Sequence, residues 1–129
     1  MENIRILLVD DEDDFRTTLA NRLRKRKLEV TEAESGRSAI NLLKQGAFDV
    51  VVLDVRMPGM DGIETLKEVK IIDPQVEVIM LTGHASVESG IEGMRLGAFD
   101  YLMKPCDISD LINKIMDAYQ RLLLQKESA

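Results

Sequence analysis

The chain of 129 residues has one cysteine, Cys106, and one histidine, His84. A lone cysteine excludes an internal disulfide, and this supply is too small for a zinc site. Such cysteine usage fits a reducing compartment. Long apolar runs are also missing. No segment approaches the ~20 apolar residues that a bilayer-spanning helix needs. The opening MENIRILLVDD does not read as a secretory leader, because acids break its apolar run and no small-residue cleavage site follows. Positive charge is in deficit as well. The formal net charge is −6, so the overall field does not attract nucleic acid. The basic stretch at residues 22–27 reads as the solvated end of an amphipathic helix. These absences predict a cytoplasmic protein with no membrane contact and no direct nucleic-acid contact.

What is present is an ordinary globular balance, 45% hydrophobic and 31% charged residues. The length suits one domain that buries its own core. Short apolar, β-branched runs lie at residues 4–9, 30–33, 50–53, 76–81 and 99–103. Each is bounded by polar residues or Gly/Pro, as buried strands are. Helical patterns lie between them. Phe15, Leu19 and Leu23 recur at helical spacing, as do Ala39, Ile40 and Leu43. Ile63, Leu66 and Val69 mark a third helix, and Val87, Ile91 and Met94 a fourth. The last uses Leu111, Ile112, Ile115, Met116, Tyr119, Leu122 and Leu123. Ser35, Asp61, Ser86 and Asp107 are helix-start signals, and Gly46 and Gly97 are stop signals.

Strict alternation with continuous apolar strands predicts α/β architecture, a parallel sheet covered on both faces. Right-handed crossovers favour the flavodoxin-like (βα)5 arrangement, a doubly wound sheet in the order 2-1-3-4-5. The domain is expected to span residues 1–125, with residues 126–129 a polar tail or the start of a linker.

In such a sheet, ligands gather at the carboxyl ends of the strands. Strand 1 is followed by Asp10, Asp11, Glu12, Asp13 and Asp14, strand 3 by Asp54, strand 4 by Thr82, and strand 5 by Lys104. Strands 1 and 3 are neighbours, so Asp10, Asp11 and Asp54 should converge. Their mutual repulsion calls for a cation, and an all-oxygen set suits Mg²⁺. Thr82 adds a hydroxyl and Lys104 a point charge, which together describe a phosphoryl site. Asp54, alone at the end of the central strand, is the candidate nucleophile. Taken singly, these aspartates read equally well as helix caps, and Glu12 as a solvated first-turn acid.

The segments ILLVDDE, VVLDVRMPGMDG, MLTGHAS and YLMKP resemble those of the receiver domain of two-component response regulators, and the likeness runs from residue 4 to about 123. The resemblance implies that Asp54 accepts a phosphoryl group from a sensor histidine kinase or phosphotransfer protein. It implies direct Mg²⁺ ligation by Asp11 and Asp54, largely water-mediated ligation by Asp10, and a ligand from the Arg56 backbone carbonyl. Thr82 would hydrogen-bond the phosphoryl group and Lys104 would pair with it. The Lys104–Pro105 bond would be cis, and Tyr101 would be the switch aromatic that turns inward as Thr82 moves. Arg56 and His84 would flank the water path and set the acyl phosphate lifetime. The output would pass through helix 4, strand 5 and helix 5, a face that could also form a homodimer. The protein would not be an enzyme, but a phosphoacceptor that assists its own phosphorylation and autodephosphorylation, standalone or as part of a transcriptional regulator. TGHAS and the Gly-Ala-Phe-Asp-Tyr run point to receivers of enhancer-binding, NtrC-like regulators.

Gly90, Gly93 and Gly97 lie in or beside helix 4. They either soften that helix or permit close packing. Cys106 is expected to pack as a small hydrophobe. Two rival readings fit less well. A haloacid-dehalogenase-type phosphatase needs an acid two residues after its nucleophile, where Arg56 stands. A flavodoxin-like electron carrier needs hydroxyls and glycine after strand 1, where Asp10–Asp14 would repel the cofactor phosphate.

Overall fold

The computed structural model describes residues 3–55, 61–83 and 87–128. Five strands alternate with five helices. They are β1 (Arg5–Val9), α1 (Asp13–Arg24), β2 (Glu29–Ala33), α2 (Gly36–Gln45), β3 (Val50–Asp54), α3 (Gly62–Ile72), β4 (Glu77–Thr82), α4 (Val87–Arg95), β5 (Asp100–Met103) and α5 (Ile108–Ser128). All pairings are parallel and the sheet order is β2-β1-β3-β4-β5. This is the predicted doubly wound topology. The helix α5 continues through residues 126–128.

Side chains alternate between the two faces of a strand, and the core divides accordingly. Leu7, Val9, Val51, Leu53, Val78 and Met80 pack with Ala39, Ile40 and Leu43 of α2 and Leu66 and Val69 of α3. Ile6, Leu8, Val50, Val52, Ile79 and Leu81 pack with Leu19 and Leu23 of α1 and Leu111 and Ile115 of α5. Residues 50–53 are fully buried, as a run apolar on both faces requires.

Two predicted caps form. The Ser35 side chain accepts from the Ser38 N–H at 3.1 Å, and the Asp61 carboxylate accepts from the Glu64 N–H at 2.8 Å. At α1 the cap position belongs to Glu12, whose side chain makes no capping bond. Gly93 and Gly97 in the α4 region have packing and turn roles. A β-carbon on Gly93 would fall 2.1 Å from the Met80 sulfur, so the helix lies close against β4. Gly97 has φ +104°, a conformation that L side chains rarely adopt.

At the amino edge of the sheet, two buried acids are closed into pairs. Asp49 accepts from the Arg5 backbone N–H at 2.8 Å and from its guanidinium. Glu77, 1% exposed, is held bidentately by Arg121 of α5, with one contact at 2.7 Å. The Arg121 guanidinium also lies over the Phe99 ring, 4.6 Å from its centroid.

Candidate functional site

At the carboxyl edge, the sheet register decides which side chains meet. Asp54 is the last residue of β3 and pairs with Leu81, while Thr82 is the last of β4 and pairs with Met103. Alternation puts Asp54 on the same face as Val50 and Val52, the face covered by α1 and α5. The chain leaving β5 brings Lys104 to that face, the Lys104–Pro105 bond that follows is cis, and the Lys104 backbone N–H donates to the Thr82 carbonyl at 2.6 Å.

Three carboxylates converge there. Asp10 is fully buried, Asp54 is 4% exposed, and Glu12 leans in from the start of α1. One oxygen from each lies within 4.8 Å of the others. The Lys104 ammonium sits among them, 3.0 Å from Asp10, 3.4 Å from Glu12 and 3.7 Å from Asp54. Burial pushes the lysine pKa down, but the Asp10 hydrogen bond and the charges of Asp54, Asp10 and Glu12 outweigh it and raise it. The ammonium stays charged. A cleft of about 240 Å³ opens here, lined by Glu12, Asp54, Gly83 and Lys104. An oxygen-only donor set of this kind suits a hard divalent cation. A carboxylate at the cleft wall beside an ammonium suits attack on an electrophile that carries negative charge.

The expected residues divide as follows. Asp10, Asp54 and Lys104 are brought together. Asp11 is exposed and stands outside the group of three acids, and Glu12 takes the third place. Thr82 is fully buried at the strand end, its hydroxyl directed to the Met103 sulfur at 3.4 Å. Tyr101, on β5, is half-buried and packs against the core on the α2/α3 side. The Arg56 carbonyl and His84 lie outside the described residues. Burial, then the charges of Asp110 and Asp107, push the Cys106 thiol up, and the half-buried side chain packs against the core on the α1/α5 side.

Two supporting residues escaped the sequence reading. Arg16 donates to the Asp10 carbonyl at 2.9 Å and to Glu32 of β2 at 3.1 Å, tying α1 to the end of β1. Phe15 places its ring 4.4 Å from the Lys104 ammonium. Both sat in a helical pattern that explained them as stripe and off-stripe residues. Their only further signal was their closeness to the acidic run.

Comparison with known proteins agrees with this geometry. The family described as "Response regulator receiver domain" matches residues 6–116. The regulatory protein AtoC of Escherichia coli is 42% identical over 95% of this chain and 27% of its own length. The DNA-binding transcriptional regulator NtrC of Klebsiella pneumoniae is 37% identical over 88% of this chain and 25% of its own. The chain thus spans about a quarter of these relatives. The crystal structure of a response regulator receiver domain protein from Clostridium thermocellum superposes with a TM-score of 0.91 at 35% identity, covering 95% of this chain and 98% of that one. The expected likeness to receivers of NtrC-like regulators is met. With matching motifs, the predicted sheet order and acids gathered at its carboxyl edge, the chain belongs to the response regulator receiver domains of two-component systems.

Proposed function

We propose that Asp54 is the phosphoacceptor of a signalling switch and takes its phosphoryl group from the phosphohistidine of a sensor histidine kinase or a phosphotransfer protein. One observation carries this reading: Asp54, 4% exposed at the end of the central strand, faces a cleft that also presents a charged lysine and Glu12, with the buried Asp10 carboxylate close behind. An Asp54 oxygen attacks phosphorus, an O–P bond forms, the N–P bond to the donor imidazole breaks, and the imidazole leaves with the electron pair and takes up a proton. Lys104 meets the equatorial oxygens as charge builds on them. Bound Mg²⁺ would supply further charge neutralisation there. Asp10 and Asp54 are the ligands supported by both the resemblance and the geometry. Glu12 is offered by the geometry, and Asp11 and the Arg56 carbonyl by the resemblance.

Once the phosphoryl group is in place, its oxygens compete with Asp10 and Glu12 for Lys104, and with the Met103 sulfur for the Thr82 hydroxyl. A phosphate oxygen is much the better acceptor in each case. Thr82 moves toward Asp54, and Tyr101 turns inward. The change reaches the α4–β5–α5 face, where Ile91 and Met94 of α4 and Met116 of α5 are exposed and Lys114 pairs with Asp100 across α5 and β5. That face serves a homodimer or an effector, in a cytoplasmic protein that is a switch and not an enzyme.

The test is intact-mass analysis after incubation with Mg²⁺ and acetyl phosphate. Wild type should gain one phosphoryl mass in a Mg²⁺-dependent manner, and Asp54→Asn should gain none. An equal gain in both proteins, or none in wild type, refutes the assignment.

A further inference from the structure

Lys104 has two kinds of neighbour. On one side lie the carboxylates of Asp10, Glu12 and Asp54. Against the ammonium also lies the ring of Phe15, 4.4 Å from Nζ to its centroid. Phe15 comes from the first turn of α1 and is packed against the core beneath α1 and α5. Its position is therefore set by the fold. The Lys104 side chain is only 16% exposed.

We propose that Phe15 is a positioning residue for Lys104: its ring holds the ammonium at the cleft by a cation–π contact. This rests on the phosphoacceptor reading of Asp54. With all three carboxylates facing it, Lys104 needs no further restraint. When a divalent cation or a phosphoryl group engages those carboxylates, the lysine loses part of that attraction, and a four-carbon stem would let it swing to solvent. The Phe15 face attracts the ammonium whatever the state of the acids. It keeps Lys104 within reach of the incoming phosphoryl oxygens, so less conformational freedom is lost in the transition state. An aliphatic residue of similar bulk would fill the same space and supply no such attraction.

The experiment compares wild type with Phe15→Leu and Phe15→Tyr, each also in a Lys104→Met background. Two signals are read: the NMR shifts of the Lys104 side-chain methylenes without metal, and the rate of Asp54 phosphorylation by acetyl phosphate with saturating Mg²⁺. Wild type and Phe15→Tyr should show a ring-current displacement of the Lys104 methylene signals, and Phe15→Leu should lose it. Phe15→Leu should slow phosphorylation roughly two- to fivefold, the range a partly exposed cation–π contact supports, and Phe15→Tyr should restore the rate. In the Lys104→Met background the Phe15→Leu substitution should change the rate little, since the coupling partner is gone. Phe15→Leu as fast as wild type overturns the proposal. So does equal slowing in the Lys104→Met background, because the ring would then act through packing alone. If wild type takes up no phosphoryl group, the reading of Asp54 fails, while the ring-current signal still decides whether Phe15 holds Lys104.

Discussion

Gly62 opens α3 directly behind the Asp61 cap, and its backbone lies against the end of β3. A β-carbon there would fall 2.4 Å from Val55 Cα and 2.8 Å from the carbonyl oxygens of Asp54 and Val55. All three are main-chain atoms and cannot rotate aside. The Gly62 N–H also donates to the Val55 carbonyl at 3.0 Å, so the two segments cannot part without losing that bond. Gly62→Ala must open the contact by about 1 Å, and overpacking of this kind costs about 1–3 kcal/mol. The helix-propensity gain of alanine, about 1 kcal/mol in a helix interior, is only partly realised at a first-turn position. A net loss of about 2 kcal/mol lowers Tm by about 7 °C for a chain of this length. The displaced backbone carries Asp54, so phosphorylation should slow by up to about 100-fold, the scale of a 1 Å misplacement. Gly93→Ala is the internal control. Its β-carbon would meet the Met80 sulfur at 2.1 Å and Cε at 2.6 Å, the far end of a flexible side chain. Repacking of Met80 and the propensity gain should leave stability within about 1 kcal/mol of wild type. Urea denaturation followed by far-UV circular dichroism measures both, since the chain has no tryptophan. Gly62→Ala within about 0.5 kcal/mol of wild type, or Gly93→Ala as costly as Gly62→Ala, refutes the distinction between backbone and side-chain obstruction.

Arg121→Gln leaves the buried Glu77 carboxylate without its bidentate partner and should cost about 2–4 kcal/mol in urea denaturation, below the fully buried figure because the guanidinium side chain is 43% exposed. Replacing both partners by methionine should cost far less. Burial raises the Glu32 carboxyl pKa, but hydrogen bonds from Arg16, Thr17 and Arg24 outweigh it and hold the group below the usual carboxylate range. Its contribution is therefore present above the unfolded pKa of about 4.3 and lost as pH falls through the folded value. The stability gap between wild type and Glu32→Gln should close on acidification, and a constant gap from pH 7 to pH 3 counts against the pairing. Magnesium at ten times its Kd should stabilise the protein by about 1.4 kcal/mol, removable by a chelator and reduced in Asp10→Asn. An equal thermal shift in that variant refutes Asp10 as a ligand.

The strands were legible to within a residue because each is a short apolar run with polar bounds, and parallel topology left one economical order. Asp54 and Lys104 were legible because topology, once known, says which strand ends are adjacent. That Glu12 would join Asp10 and Asp54 was not legible, while Asp11 remains a ligand implied by the resemblance. Which acid of a consecutive run turns inward depends on the backbone between strand and helix. Here Glu12 takes extended φ/ψ at the cap position and its N–H donates to the Asp10 carboxylate at 2.9 Å. The glycines near α4 could be read as softness or as packing. Gly93 against Met80 and the positive φ of Gly97 give those two definite packing and turn roles. Glu77 was hidden inside an apolar strand, and its partner Arg121 lies 44 residues away, a separation that no local pattern reveals.

The two edges of the sheet treat their buried acids in opposite ways, and this separates structural from functional carboxylates. At the amino edge each acid has a dedicated cation, Asp49 with Arg5 and Glu77 with Arg121. Those charges are compensated and fixed. At the carboxyl edge, among the described residues, Asp10, Glu12 and Asp54 crowd around Lys104. Like charges that close repel, and folding keeps them together at a cost. Removing a carboxylate should therefore have opposite signs at the two edges. Asp49→Asn discards a compensated charge, leaves Arg5 with a weaker acceptor and should destabilise by about 1 kcal/mol or more. Asp54→Asn, measured without divalent cations, relieves repulsion and should stabilise by about 0.5–2 kcal/mol while abolishing phosphorylation. Adding Mg²⁺ should narrow that gain, because a bound cation removes in wild type the repulsion that the substitution removes in the variant. If Asp54→Asn destabilises metal-free protein as much as Asp49→Asn does, the carboxyl-edge acids are a satisfied structural network, and the argument from crowded charge fails.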